Sequence, residues 1–180
     1  MSEEDLNSAQ SGEQVMGRET YEFFQELFQL ARAGNTQRLK EFFELGFQAP
    51  NIRDGNGNSL LMLASYNGHY ETARLLLERG GDPELANDRG QIPLAGAAFK
   101  GDTEMARLLI KHGADVNARS PDGKTALMFA AMFDRTEIID LLLAEGADSS
   151  LQAGDGVTAQ SLAQAMGAHA AAARLSPTKS

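Results

Sequence analysis

The sequence predicts an all-α, or mainly α-helical, fold in which helix pairs stack as a solenoid. One series of glycines recurs at a fixed spacing of 33 residues, and two further series accompany it. Within each period, apolar residues recur at helical spacing in two separate stretches. A fixed period of this length is typical of units that contact only their neighbours. We therefore expect antiparallel helix pairs joined by β-hairpin-like turns.

The three glycine series mark three turns in every unit. Glycine supplies the positive φ that a tight turn, or the residue after a helix, requires. In the fourth unit Asp134 stands where the other units have the glycine between their helices. The series are Gly57, Gly90, Gly123 and Gly156 at the start of a unit, Gly34, Gly68, Gly101 and Gly167 between its helices, and Gly46, Gly80, Gly113 and Gly146 after its second helix.

This register divides the chain. Residues 1–18 are polar, acidic and aperiodic, so we expect a disordered leader there. The repeat domain then covers residues 19–175, and residues 176–180 form a tail. Both terminal units carry a polar side, as a unit with one neighbour must, and this favours a monomer. Within the domain we place an N-terminal cap at 19–56, repeats at 57–89, 90–122 and 123–155, and a C-terminal cap at 156–175.

Local signals place the helices within the units. Ser59, Thr125 and Thr158 each stand where a side chain caps the start of a first helix. Pro93 falls in the first turn of the corresponding helix, where its missing N–H has no consequence. Before these units, a phenylalanine-rich stretch has helical spacing, and we interpret it as core. Its members are Phe23, Phe24, Leu27, Phe28 and Ala31.

Composition excludes several classes of function. The net charge is −9, and residues 1–19 alone hold five acids and one arginine, yet no basic stripe occurs that would neutralise nucleic-acid phosphates. The chain has no apolar run long enough to span a membrane and no cysteine. We expect a cytoplasmic protein that binds neither nucleic acid nor membrane and has no cofactor.

The spacing of the candidate residues excludes a calcium loop and a catalytic site. Asp54, Asn56 and Asn58 have the spacing of a calcium loop, but Ser59 and Ser65 stand where that loop needs glycine and glutamate. We therefore interpret this segment as a turn, with no metal. The three histidines do not converge with a nucleophile or a second base at any readable spacing, so we predict that the chain is not an enzyme.

The repeat motif resembles a known family. The pattern G-x-T-A-L-M-x-A-A over 123–131, with E-I-I-x-L-L-L-x-x-G-A-D through Asp148, is similar to the ankyrin repeat, and so are residues 68–82 and 101–119. The usual Pro-Leu-His is altered, since Met62, Ala95, Met128 and Ser161 occupy the histidine place. The resemblance implies L-shaped units, each a hairpin finger and a helix pair, in a curved array. It also implies that another protein binds on the concave face.

Equivalent positions of stacked units form columns, and the columns indicate a binding face. An exposed face of the first helices should carry apolar and aromatic residues, which mark a contact site on an acidic protein. Leu63 and Phe129 have an alternative, which is to turn inward and fill space between units. Our candidate partner-binding residues are Leu63, Tyr66, Phe99, Lys100, Phe129, Met132 and Phe133 on the helices, with Arg89, Arg119 and Asp122 on the finger rim.

A second function stays open from the sequence. The fourth unit holds six acids against two bases. An inhibitor or immunity-type protein would use this unit to cover the basic active site of one enzyme, and its binding would depend steeply on salt. The acids concerned are Asp134, Glu137, Asp140, Glu145 and Asp148.

Overall fold

The chain forms five consecutive helix pairs in a computed structural model that describes residues 3–154 and 156–176, with side chains from Gly17 onward. Over those residues the fold is helical and has no β-strand, and extended segments pair only at one isolated antiparallel bridge, Arg53 with Ser59. The helices are α1 (Glu3–Ala33), α2 (Thr36–Glu44), α3 (Leu60–Tyr66), α4 (Tyr70–Glu78), α5 (Pro93–Lys100), α6 (Thr103–Lys111), α7 (Ala126–Met132), α8 (Thr136–Ala144), α9 (Ala159–Ala165) and α10 (His169–Arg174).

The helices stack in two parallel rows. The first helices α1, α3, α5, α7 and α9 contact one another in chain order, and the second helices α2, α4, α6, α8 and α10 form the other row. The core lies between the rows, where each fully buried leucine or isoleucine stabilises the fold by about 1.5–3 kcal/mol relative to an exposed one. The buried side chains include Leu27, Leu39, Leu61, Leu76, Leu94, Leu109, Leu127 and Ile139.

The first helix is longer than the sequence predicted. α1 begins at Glu3 and so continues through most of the acidic segment for which we expected disorder. Its phenylalanine-rich half is core as predicted, because Leu27 and Phe28 are buried and Phe23 packs edge-on against Phe42 at 5.4 Å. The division into leader, caps and repeats stays a prediction.

The predicted helix starts are confirmed. The side-chain oxygens of Ser59, Thr125 and Thr158 each accept a hydrogen bond from the backbone N–H three residues later. These bonds satisfy N–H groups that have no partner within the helix. Pro93 is the first residue of α5, and the side chain of Ile92, which precedes it, does not cap this helix.

The glycine series also have the backbone conformation that the sequence predicted. All twelve adopt positive φ, between 70° and 101°. Asp134 is the one non-glycine residue with positive φ in the described part of the chain, at 54°. Aspartate tolerates this conformation better than most residues, yet the substitution of glycine by aspartate needs a reason of its own.

The reason lies in the next unit. The Asp134 carboxylate accepts a hydrogen bond from the backbone N–H of Ala171, with 2.7 Å between oxygen and nitrogen. Ala171 lies in the first turn of α10, and the cap position of that helix holds Ala168, which offers no side-chain acceptor. Asp134 therefore caps α10 from the preceding unit.

Side chains between units also hold the backbone in register. The side-chain oxygen of Asn51 accepts from the N–H of Asp82 at 2.8 Å, while its amide nitrogen donates to the carbonyl of Gly80. Asn117 makes the same two bonds with Asp148 and Gly146. Each asparagine thus joins its own turn to the end of the next unit's second helix.

Between these two asparagines, the equivalent position holds a glutamate. The Glu84 carboxylate accepts from the N–H of Asp115 at 3.0 Å, but it has no donor for the carbonyl of Gly113. Burial raises the pKa of this carboxyl, as do the nearby charges of Asp115 and Asp82, although the Asp115 hydrogen bond opposes them. An ionised Glu84 is therefore less well accommodated than an asparagine.

Replacement of Asp134 by alanine is predicted to lower the free energy of unfolding by about 1 kcal/mol, because the α10 cap is lost. Asp134→Asn should retain most of the stability, since asparagine tolerates positive φ and its side-chain oxygen can accept the same bond. Urea unfolding of the three proteins measures the difference. An alanine variant as stable as wild type would show that the cap contributes nothing.

Replacement of Glu84 by asparagine is predicted to raise the free energy of unfolding at pH 7 by about 1 kcal/mol, since it supplies the missing donor and removes a charge. A raised pKa means that the folded state binds the proton more tightly, so wild-type stability rises as pH falls through that pKa. The advantage of asparagine should therefore shrink at acidic pH. Thermal unfolding between pH 4 and 7 tests this, with the reverse change Asn117→Glu expected to destabilise the fold.

Candidate functional site

Three exposed aromatic rings follow one another along the row of first helices. Tyr66 is the last residue of α3, and Phe99 is the second-last residue of α5. Phe133 occupies the C-cap position of α7. Their side chains are 45%, 39% and 37% exposed, respectively. The sequence predicted this exposure from column positions alone.

The rings of Tyr66 and Phe99 each contact the next unit. Phe99 and Phe133 pack edge to face, with ring centroids 4.6 Å apart and an interplanar angle of 74°. The ammonium of Lys100 lies 4.2 Å from the centroid of the Tyr66 ring. Such contacts are worth about 0.5–1.5 kcal/mol beyond area burial, so the rings are held in position before any partner binds.

Side chains of the following unit also satisfy the carbonyls at the ends of these first helices. The Arg32 carbonyl is 3.0 Å from His69 Nε2, and the Phe99 carbonyl accepts from Arg135 Nε at 3.3 Å. Lys100 donates to the Tyr66 carbonyl in the same way. These carbonyls have no partner within their own helices, so the bonds fix how each unit sits on the next.

An apolar pocket opens between α3, α5 and α7, beside Tyr66 and Phe99. Its volume is about 130 Å³. An apolar cavity of about 150 Å³ holds one benzene ring, so the pocket suits a single side chain of leucine or phenylalanine size. It is lined by Met62, Tyr66, Ile92, Ala95, Gly96, Phe99 and Phe129, with Gln91 and Ser120 as polar members.

Gly96 keeps this pocket open. It lies inside α5 and is absent from the residues with positive φ, so the backbone conformation does not require glycine there. A Cβ atom at this position would meet the ring of Tyr66 at 3.4 Å, an ordinary van der Waals contact. Glycine inside a helix is about 1 kcal/mol less favourable than alanine. The residue therefore lowers helix stability and leaves space in the apolar pocket.

A polar pocket of about 420 Å³ adjoins the apolar one and shares Met62, Tyr66 and Gln91 with it. We call the two pockets together the groove. Two arginines and several amide side chains give the polar pocket its character. Its other lining residues are Arg32, Asn56, Asn58, Leu63, Asn67, Asn87 and Arg89.

The turn below the polar pocket uses the residues that have calcium-loop spacing. One oxygen of Asp54 accepts hydrogen bonds from the backbone N–H groups of Asn56 and Asn58, both at 2.9 Å. The other oxygen pairs with Arg32 at 3.2 Å. Burial raises the pKa of Asp54, but these bonds outweigh it and hold the pKa below its ordinary value. The carboxylate therefore stabilises the turn, as we interpreted it.

Not every helix residue that we proposed for the face points outward. Leu63 is 7% exposed and belongs to the core, so the alternative that it turns inward is the one observed. Phe129 is partly buried and forms a wall of the apolar pocket. Met132 is half-buried and lines neither pocket of the groove.

The proposed rim residues differ in how many interactions their side chains already make within the fold. Asp122 accepts hydrogen bonds from Lys124 and Ser120, which lower its pKa to about 2. Arg119 donates to the carbonyl of Gln152 at 3.2 Å in the next turn. Arg89 is exposed and makes no ion pair with any residue that the structure describes. Its side chain is therefore the least engaged of the three rim side chains in the described structure.

The sequence predicted Tyr66, Phe99 and Phe129 for the binding face but not the other residues that line the apolar pocket. Met62 and Ala95 were noted only as departures from the family pattern, and Gln91 and Ile92 were not considered. The one available signal was Gly96, since a glycine inside a predicted helix without a turn to explain it indicates a packing or functional reason.

A solenoid of helix pairs that carries an exposed aromatic groove defines a repeat protein of the interaction type. Comparison with known proteins then identifies the family: the family model described as "Ankyrin repeats (3 copies)" matches residues 27–120, 79–153 and 97–175. The chain belongs to the ankyrin-repeat family. Proteins of this family are in general non-catalytic interaction scaffolds.

Two relatives match parts of the chain. An ankyrin repeat protein of Pseudomonas aeruginosa is 56% identical over 57 residues, which is 32% of this chain and 33% of the relative. The ankyrin repeat domain-containing protein 29 of Danio rerio is 37% identical over 62 residues, 34% of this chain and 21% of the relative. The chain thus spans about a third and about a fifth of the lengths of these relatives.

Two kinds of feature are absent from the described residues. No helix within them has the length and apolar character needed to cross a membrane. In the same part of the chain, no three histidine, aspartate or glutamate side chains are grouped so that they could hold a metal ion.

Replacement of Gly96 by alanine is predicted to raise the free energy of unfolding by about 0.5–1 kcal/mol, because alanine favours the helix and its methyl group meets only the Tyr66 ring. Gly123→Ala is the control. Gly123 has a φ of 81°, and a Cβ there would come 3.1 Å from the Cα atom of Ala153, so this variant should lose stability. Urea unfolding measures both, and destabilisation by Gly96→Ala would contradict our account of the pocket.

Proposed function

We propose that the chain is a non-catalytic module that binds one partner protein in the groove and on the ring of Phe133, which packs against the groove residue Phe99. The observation that carries the proposal is the run of Tyr66, Phe99 and Phe133, each more than a third exposed on a protein that buries most of its large apolar side chains. Aromatic residues are enriched at the centres of protein interfaces, where they contribute much of the binding energy.

The arrangement of the rings supports the same function. Contacts with Phe133 and Lys100 already restrict the rings of Phe99 and Tyr66 in the isolated chain. Side chains fixed before binding lose less conformational entropy when the partner arrives, which favours affinity.

The alternative of an inhibitor that binds through the acidic fourth unit has weaker support. Three of its five acids already have partners within the fold. Asp134 caps α10, Asp140 pairs with Arg174, and Asp148 accepts two hydrogen bonds from Ser150. Binding a basic enzyme would have to displace some of these interactions, whereas the aromatic rings need no such change.

Other expectations about the whole protein stay predictions. These are a monomeric state, a cytoplasmic location and the lack of a nucleic-acid partner. The partner is a protein, as the family implies.

The test is a pull-down from extract of the native cell with a Tyr66→Ser, Phe99→Ser, Phe133→Ser bait beside wild type. We expect a protein captured by wild type to be lost or reduced at least about tenfold with this variant, as for central interface residues. The control bait carries Tyr21→Ser and Tyr70→Ser, which remove exposed tyrosines of α1 and α4 outside the groove. It should capture the protein as wild type does.

The outcome that contradicts the groove is equally specific. A protein kept by the triple variant but released at high salt would instead favour binding through the acidic fourth unit. Circular dichroism of each bait confirms that the variants are folded.

A further inference from the structure

The charge of the groove is opposite to that of the protein. The chain as a whole carries a net charge of −9. Arg32 and Arg89 are the only charged side chains that line the groove, and among the described residues no aspartate or glutamate does so. A partner surface of opposite charge is favoured at such a site, and one of like charge is rejected.

The two arginines are not equally available. The Arg32 guanidinium pairs with Asp54, whose own side chain is 9% exposed, so one negative charge lies beneath the pocket. Arg89 has no ion pair in the described structure and extends from an exposed turn. Its planar guanidinium can bind a carboxylate through two parallel hydrogen bonds.

Hydrogen bonds link three of the amide side chains of the polar pocket to one another. Asn87 donates to the side-chain oxygens of Asn58 and Gln91, both at 3.0 Å, and Asn58 donates to Asp54. The Asn87 side-chain oxygen in turn accepts from the backbone N–H groups of Arg89 and Gln91. This network holds the turn that carries Arg89 in place next to Gln91, which both pockets share.

We propose that the groove binds an acidic segment of the partner protein, with one apolar side chain of leucine or phenylalanine size in the apolar pocket and a carboxylate on Arg89. This inference rests on the proposed function and specifies the chemistry of the partner. The pocket beside Gly96 selects the apolar side chain by size, and the guanidinium selects the charge. A basic segment is disfavoured because it would bring a second positive charge to Arg89 without a carboxylate in the groove to balance it.

The test uses random peptides displayed on phage, selected against the purified chain. We expect the selected peptides to share one large apolar residue accompanied by aspartate or glutamate. A synthetic peptide of the selected sequence is then titrated by fluorescence anisotropy. Its affinity should fall at least about tenfold when its acidic residues become their amides, and it should weaken as salt is raised.

Variants of the protein locate the site. Gly96→Leu fills the apolar pocket while favouring the helix, and Arg89→Glu reverses the charge of the polar pocket. Each should weaken the peptide at least about tenfold. Arg107→Glu, on the exposed surface of α6, makes the same change in net charge away from the groove and should leave the affinity within about twofold.

Several results would overturn the inference. These are a basic or uncharged consensus, no enrichment of any peptide, or binding that survives both Gly96→Leu and Arg89→Glu. The pull-down distinguishes failure of the acidic-segment proposal from failure of the groove itself. If the triple variant loses the partner but the peptide consensus is uncharged, the groove remains the binding site and the acidic-segment proposal is wrong. If the triple variant keeps the partner, the groove is not the binding site.

Discussion

The helices of this chain are too short to be stable alone, and the rest of the structure follows from that constraint. Apart from α1, each has between six and nine residues, whereas an isolated helix of fewer than about twelve is marginal in water. Each pair is stable because its apolar side chains are buried against its partner helix and the pairs on either side. Stability is therefore a property of the interfaces between units.

The same constraint determines the geometry of the groove. Because the units must stack closely, a residue at the end of one first helix lies beside the next unit, as Phe99 lies beside Phe133. The unpaired carbonyls at those helix ends then find donors such as Lys100 and Arg135 in the following unit. The bonds that hold the array in register thus also hold its exposed rings.

The sequence alone was sufficient for the parts of the fold that repeat. The glycines with positive φ and the caps Ser59, Thr125 and Thr158 follow from local rules, which depend on a few neighbouring residues. The 33-residue period then places equivalent residues in columns, so the exposure of Tyr66, Phe99 and Phe133 could be predicted. In a repeat protein, sequence spacing therefore indicates which residues of different units share a face of the folded structure.

The features that the sequence did not predict are those that depend on one particular contact. The Asp134–Ala171 bond joins residues 37 apart at one place in the array, so no period indicates it. Leu63 shares a face with Tyr66 by helical spacing, yet it is buried, because it packs into the hydrophobic core. The apolar pocket arises where Gly96 meets larger neighbours, and its volume depends on how those side chains pack.

The last helix pair has a consequence for how the array opens. α10 has six residues, four of them alanine, and it buries Ala171 and part of Ala172 where the other second helices bury leucine or isoleucine. This pair also has only one neighbour within the described residues. Detachment of this pair breaks one interface between units, whereas detachment of an interior pair would break two. Fluctuations of the folded state should therefore begin at α10, where the Asp134 hydrogen bond opposes them, and the next pair that they reach is α7 and α8, which carries Phe129.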